Sequence, residues 1–223
     1  MIPIDKTKEI CGAIFDVDGT LLDSMVIWED AAVRYLHSLG LESEENLSEK
    51  IMTMSMEEGA DYLINHYGVN LTRSEILSDI RKLIRGFYEN EVQLKFGVEN
   101  VIRTLSERNI PMMIATSSDS ECVVAGLKRL GVWQYFEGIL TCTDIGKGKN
   151  EPDIYLVAAK KLGSTPQETI VFEDALHAIV TAKKAGFVTV GIYDSYNQDE
   201  EEIKKIADYY FKDWEEVEKW ISE

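Results

Sequence analysis

Two carboxylates one residue apart close an apolar run near the start of this chain, Cys11-Gly12-Ala13-Ile14-Phe15-Asp16-Val17-Asp18-Gly19-Thr20. Side chains alternate along a strand, so Asp16 and Asp18 lean the same way off its end, and Gly19 lets the backbone turn sharply beyond them. Like charges so close call for a divalent cation between them, or for one carboxyl kept protonated by its ionised neighbour. Both arrangements suit phosphoryl transfer, in which Asp16 attacks phosphorus beside Mg²⁺ and Asp18 carries a proton for the leaving group. The plain alternative is a solvated turn after a buried strand, so the motif needs context.

Three later segments supply it. Met112-Met113-Ile114-Ala115 ends in Thr116-Ser117-Ser118, where hydroxyl and backbone N–H groups could hold phosphate oxygens. In Lys149-Asn150-Glu151-Pro152-Asp153, Pro152 suits the first turn of a helix over Ile154 to Leu162, which puts Lys149 just ahead of it. Thr169-Ile170-Val171-Phe172 runs into the adjacent acids Glu173 and Asp174, a further pair of carboxylates at a strand end.

Taken together, the four segments resemble the haloacid dehalogenase superfamily, whose phosphatases carry a strand-end Asp-x-Asp-Gly-Thr, a Thr or Ser, a Lys and a late acidic pair. The late motif, Phe172-Glu173-Asp174-Ala175-Leu176-His177-Ala178, is similar to the Glu-Asp-Ser-x-Ala-Gly pattern of the subgroup with a helical cap that includes β-phosphoglucomutase. It differs at Ala175, His177 and Ala178, which leaves the carboxylates intact, and Phe96-Gly97 stands where Pro-Gly is common. The resemblance implies an aspartyl phosphate on Asp16, proton transfer by Asp18, phosphate binding by Thr116, Ser117 and Lys149, and Mg²⁺ held by Asp16, the Asp18 main-chain carbonyl, Glu173 and Asp174. In the β-phosphoglucomutases a cap Arg in a Gly-x-Ser-Arg segment clamps the distal phosphate. An ungapped comparison places that segment at Thr53-Met54-Ser55-Met56 here, without the charge.

Helical spacing recurs at Trp28, Ala31, Ala32, Tyr35, Leu36 and Leu39, again at Met56, Ala60, Leu63, Ile64 and Tyr67, and at Ile76, Ile80, Leu83, Ile84 and Phe87. Residues 25–93 therefore read as an all-helical block. From Gly97 helices alternate with short strands at Met112–Ala115, Gly138–Leu140, Thr169–Phe172, Val188–Ile192 and Tyr209–Phe211. That alternation predicts an α/β fold, a doubly wound parallel sheet of Rossmann-like kind, with sites at the carboxyl ends of its strands. The core is then 1–24 with 94–223, and 25–93 is a helical cap inserted after the first strand, as the resemblance implies.

Forty acidic against 23 basic residues, a net charge of −17, argue against a nucleic-acid partner and against an anionic membrane surface. A phosphorylated substrate is repelled at long range, so local groups must overcome the global field. Cys11, Cys122 and Cys142 are widely spaced and read as reduced packing residues. Met1-Ile2-Pro3-Ile4-Asp5-Lys6 has no signal-like apolar core and no run reaches the ~18 apolar residues of a membrane span, so a cytoplasmic location is expected.

Secondary candidates are Ser24, which matches a family position at the cap hinge, and His177, which follows the late acids. Arg81, Lys82 and Arg85 either anchor an anionic substrate tail or form a solvated face with ion pairs. His37 and His66 read as surface residues. The expected activity is Mg²⁺-dependent hydrolysis of a small phosphorylated metabolite, with a phosphosugar mutase as alternative and a non-catalytic or receiver-like phospho-acceptor as a remote one. A receiver carries its acidic pair and its phosphorylated Asp on different strands.

Overall fold

Gly12–Phe15 is apolar at every position, the pattern of a strand covered on both faces. In the computed structural model, which describes residues 10–52 and 54–222, it is strand β1 and is fully buried. Five more strands follow: β2 (Met112–Thr116), β3 (Phe136–Thr141), β4 (Thr169–Glu173), β5 (Val188–Ile192) and β6 (Tyr209–Phe211). All pair in parallel in the order β3-β2-β1-β4-β5-β6. The chain thus winds outward from β1 to one side, returns, and winds outward on the other, which makes β1 and β4 the switch point where such sheets open a crevice.

Alternation along β1 divides the core between the two faces. Ile14, with Met113, Ala115 and Val171, packs on Ile154, Tyr155, Ala158 and Ala159 of helix Asp153–Leu162 and on Ala178 and Ala182 of helix Leu176–Lys184. Phe15 faces the other way, stacked on Phe172 at 4.7 Å, and Phe172 lies 5.3 Å from the buried Trp214 ring. Trp214 opens the last helix, Trp214–Ser222, and its indole N–H donates to the Thr20 carbonyl at 3.1 Å.

The chain divides into two compact units, one running to Asp23 and resuming at Gln93, the other Ser24–Val92. The second consists of helices Met25–Ser38, Leu47–Met52, Met56–Tyr67 and Arg73–Asn90, inserted between β1 and β2. Ile27, Leu36, Leu47, Leu63, Ile76 and Tyr88 are buried in it. Ser55 with Glu58 and Thr72 with Glu75 form capping boxes that start its third and fourth helices.

Some expectations are corrected in detail. Trp28, Leu39 and Met56 follow the helical spacing but are exposed, and Trp28 and Met56 line an apolar hollow of about 100 Å³ within the helical unit. Periodicity assigns a side, but cannot tell a covered site from one at the rim of a hollow. Cys11 is exposed just ahead of β1 rather than packed, Cys122 and Cys142 are half-buried, and none of the three is in a disulfide. Helix Leu47–Met52 falls within the expected all-helical block, whereas the short helix Cys142–Ile145 and the last helix, Trp214–Ser222, carry no expectation from the sequence. Thr53 and Met1 to Lys6, on which two expectations rest, lie outside the described residues. Among the described residues no helix is long and apolar enough to cross a membrane.

Candidate active site

Strand register decides which acids meet. β1 and β4 pair Ile14 with Val171 and Phe15 with Phe172, so the next residue of each strand, Asp16 and Glu173, emerges at the same level and on the Ile14 face. The Asp16 N–H donates to the Phe172 carbonyl at 3.0 Å, extending the ladder to the acid itself. That face belongs to helix Asp153–Leu162, which Lys149 precedes. The Lys149 ammonium therefore reaches both carboxylates. It donates to Asp16 Oδ1 in a short ion pair and to Glu173 Oε1 at 2.6 Å, with all three side chains buried.

Asp174, one residue further on, sits against the β1 turn. Thr20 donates its hydroxyl to Asp174 Oδ1 at 3.1 Å. Gly19 has φ +82°, and a Cβ there would lie 2.5 Å from Asp174 Oδ2. Only glycine fits both the backbone and the approach. One carboxylate oxygen from each of Asp16, Glu173 and Asp174 lies within 4.8 Å of the others.

The electrostatics follow from this crowding. Burial and then Glu173 push the Asp16 carboxyl up to about 6, against the pull of Lys149. Burial, with the Asp16 and Glu173 charges, likewise raises Asp174 well above the carboxylate range. Burial works to lower the Lys149 ammonium, but Asp16 and Glu173 outweigh it and hold its titration above that of an ordinary lysine. The site thus keeps a permanent cation among three acids. Glu173 Oε1 is taken by Lys149 and by the Tyr155 hydroxyl at 2.8 Å, whereas its Oε2 is buried without a hydrogen-bond partner. An orphaned carboxylate oxygen within an all-oxygen donor set fits a hard divalent cation such as Mg²⁺.

Asp18 is half-buried, and Ser118 donates its hydroxyl to Asp18 Oδ2 at 2.5 Å. Thr116 is buried at the end of β2, where its Oγ1 accepts the Ser118 N–H at 3.0 Å. Ser117 is exposed and its hydroxyl meets Cys142 Sγ at 3.3 Å. His177, in the first turn of helix Leu176–Lys184, is held below the ordinary histidine range by burial and by Lys149, with Asp16 pulling the other way. The remaining candidates belong to the helical unit. Ser24 is the buried N-cap of its first helix, and Arg81, Lys82 and Arg85 are exposed on its fourth. There Lys82 pairs with Asp79 and Arg85 with Glu89, the solvated face with ion pairs. His37 is exposed, and His66 stacks on Tyr62.

A family model for haloacid dehalogenase-like hydrolases matches residues 13–192, the span that carries every acid of the site. The chain belongs to this family. This hydrolase is 26% identical over 185 residues to the phosphorylated carbohydrates phosphatase of Thermotoga maritima, covering 82% of this chain and 86% of that protein. It is also 26% identical over 185 residues to the fructose-1-phosphate phosphatase of Escherichia coli, covering 83% and 97%. A crystal structure of β-phosphoglucomutase from Clostridium difficile superposes with a TM-score of 0.65 at 22% identity, over 96% of this chain and 97% of that one, and shares the fold. By its family this hydrolase is an enzyme of the phosphatase kind.

Four contacts of the hydrolase escaped the sequence reading: Tyr155 on Glu173, Thr20 on Asp174, Ser118 on Asp18, and Asn197 Nδ2 on the Asp174 carbonyl. Ser118 and Thr20 lie inside the quoted motifs, so their signal was proximity. Tyr155 and Asn197 carry no local signal, because each is brought in by a different loop or helix.

Proposed function

We propose that this enzyme hydrolyses small phosphorylated metabolites, with sugar and polyol phosphates foremost, through a phosphoryl group held transiently on Asp16. The observation that carries the reading is Asp16 buried at the end of β1, bonded to Lys149 and within 4.8 Å of Glu173 and Asp174. The substrate class rests also on the two phosphatase relatives, which act on phosphorylated carbohydrates and on fructose 1-phosphate.

Asp16 is the nucleophile: its carboxylate oxygen bonds to phosphorus as the ester oxygen departs. Asp18 gives that oxygen a proton and later takes one from the water that cleaves the acyl phosphate. The Ser118 hydroxyl fixes Asp18 by donating to Oδ2. Thr116 and Lys149 hold the non-bridging oxygens, and Lys149 also keeps Asp16 ionised. Asp16, Asp174, Glu173 through Oε2 and the Asp18 main-chain carbonyl are the groups that would hold Mg²⁺, which supplies positive charge for the charge that builds on phosphate. The choice of leaving group falls in this reading to the helical insertion 25–93.

Hydrolysis is favoured over the mutase reading by Met56. It is exposed and has no hydrogen-bond donor, where the β-phosphoglucomutases carry the Arg of their distal clamp. Lys82 and Arg85 are engaged by carboxylates of their own helix. The test is phosphate release across a panel of phosphorylated metabolites with Mg²⁺. Activity that is lost in chelator and lost in Asp16→Asn is the expected result; full turnover in either refutes the mechanism.

A further inference from the structure

The loop that follows β5 reaches the site through a backbone atom. Asn197 donates Nδ2 to the Asp174 carbonyl oxygen in a short hydrogen bond, and its own N–H donates to the Asp194 carbonyl at 3.1 Å. Asp194 is buried and anchors this loop from the far side. Its Oδ1 accepts the Tyr196 N–H at 2.9 Å, and its Oδ2 pairs with Lys95 Nζ at 2.7 Å. Lys95 Nζ makes a further bond, to the Tyr193 carbonyl, at 2.7 Å. The side chains of the pair are 16% and 4% exposed, so removing the lysine strands a buried carboxylate rather than a solvated one.

Lys95 does not belong to that loop. It lies where the chain returns from the helical unit, and the outgoing and returning segments are hydrogen-bonded together. Asp23 N–H donates to the Gln93 carbonyl at 3.0 Å, Leu22 bridges Leu94, and Lys95 N–H donates to the Leu21 carbonyl at 2.9 Å. Leu22 and Gly19 in turn close the turn after Asp18, through Leu22 N–H to Val17 O and Gly19 N–H to Leu22 O. A continuous set of bonds therefore runs from the paired linkers through Lys95, Asp194 and Asn197 to the main chain of Asp174.

We propose that Lys95, Asp194 and Asn197 form a positioning relay that locks the Asp174 main chain, and with it the divalent-cation site, to the paired linkers of the helical insertion. The inference rests on the reading of Asp174 as a cation ligand. None of the three residues touches substrate; they set where the carboxylate is held. Outer partners of metal ligands are commonly worth 10–100-fold in affinity. Both residues to be varied leave room for substitution. Lys95 and Asp194 line a cavity of about 420 Å³ with Phe96, Tyr193 and Trp214, and Asn197 is only half-buried.

The experiment is calorimetric titration of the metal-free full-length protein with Mg²⁺, which reads affinity without turnover. Lys95→Met and Asn197→Ala should each weaken binding roughly tenfold. Their double variant should be no weaker than the poorer single, because links in series fail together. Lys95→Arg, which keeps the charge and has the cavity to occupy, should stay within about threefold of the parent. Amide exchange of the segment 172–176 in chelator should quicken in both single variants and not in Lys95→Arg. Should Lys95→Met not fold, Asn197→Ala and Lys95→Arg carry the comparison. Parent and single variants that bind Mg²⁺ equally overturn the relay alone, as do losses that multiply in the double variant. A parent that does not bind Mg²⁺ overturns the cation reading and the relay with it.

Discussion

Removing the divalent cation should invert the usual dependence of stability on pH. The Asp16 carboxyl stands at about 6 in the folded protein against an ordinary 3.8, driven by burial and by Glu173. The folded state therefore binds a proton that the unfolded chain releases between those values. The stability this confers is complete below the unfolded value and is lost as pH rises through about 6. At 1.36 kcal/mol per pH unit the loss is about 3 kcal/mol, and Asp174, raised for the same reason, adds in the same direction. The assay is thermal unfolding from pH 4 to 8 in chelator and in Mg²⁺, with the difference between the two series as the readout. Surface carboxylates contribute equally to both series and cancel. The Mg²⁺ increment should grow between pH 4 and 7. Asp16→Asn should flatten the chelator series and, at pH 7.5, raise its midpoint by roughly 6–12 °C, since about 3 kcal/mol moves a chain of this size by that much. An increment independent of pH, or an Asp16→Asn protein less stable than its parent in chelator at pH 7.5, refutes the reasoning.

Further outcomes follow from single contacts. Gly19→Ala must carry φ +82° and displace Asp174, so Mg²⁺ affinity measured by calorimetry should fall at least tenfold while the fold, followed by far-UV circular dichroism, is retained. Tyr155→Phe takes the hydroxyl from Glu173 Oε1 and should cost about 1–3 kcal/mol in urea unfolding; an unchanged midpoint would show that Lys149 alone satisfies that oxygen. Asp18→Asn should lower turnover by ~10²–10⁴-fold in a phosphate-release assay through the lost proton transfer. With β-glucose 1-phosphate and a bisphosphate primer, a time course resolving both products should show phosphate release ahead of glucose 6-phosphate. Isomerisation outrunning hydrolysis by about tenfold would point to Arg81, Lys82 or Arg85 as a clamp.

The parallel sheet and the acids were legible because three central strands, β1, β2 and β4, end at or run straight into a polar residue. An apolar run fully covered on both faces cannot hide a charge within it, so Asp16, Thr116 and Glu173 had to stand at strand ends. Val188–Ile192 and Tyr209–Phe211 have the bounds the spacing gave, whereas β3 extends beyond Gly138–Leu140 because Phe136 pairs with Met112 and Thr141 with Thr116, a pairing that depends on β2. What stayed hidden was long-range. Nothing local to Tyr155 announces a partner, since a tyrosine at a buried helix position reads as packing until strand register sets Glu173 beside it. Asn197 sits in a polar run, Asp194 to Glu202, whose helical part begins only at Glu200, and its role comes from a carbonyl more than twenty residues away. Exposure at Trp28 and Met56 was hidden for the opposite reason, because amphipathic spacing assigns a side and not a cover.

Lys149 among three carboxylates has a consequence for charge balance. Asp16, Glu173 and Asp174 against one ammonium leave two negative charges when all are ionised, the amount that one divalent cation cancels. A phosphate monoester then enters a neutral site rather than a positive one, inside a protein of net charge −17. On the proposed mechanism its grip comes from directed donors, the Thr116 hydroxyl, the N–H groups beyond β2 and Lys149, and not from a surplus of positive charge. Inorganic phosphate, the product, is held by no more than those same donors, so neutrality favours its escape. A trivalent ion in the same place would tip the balance to positive, and turnover would then be governed by how slowly phosphate leaves.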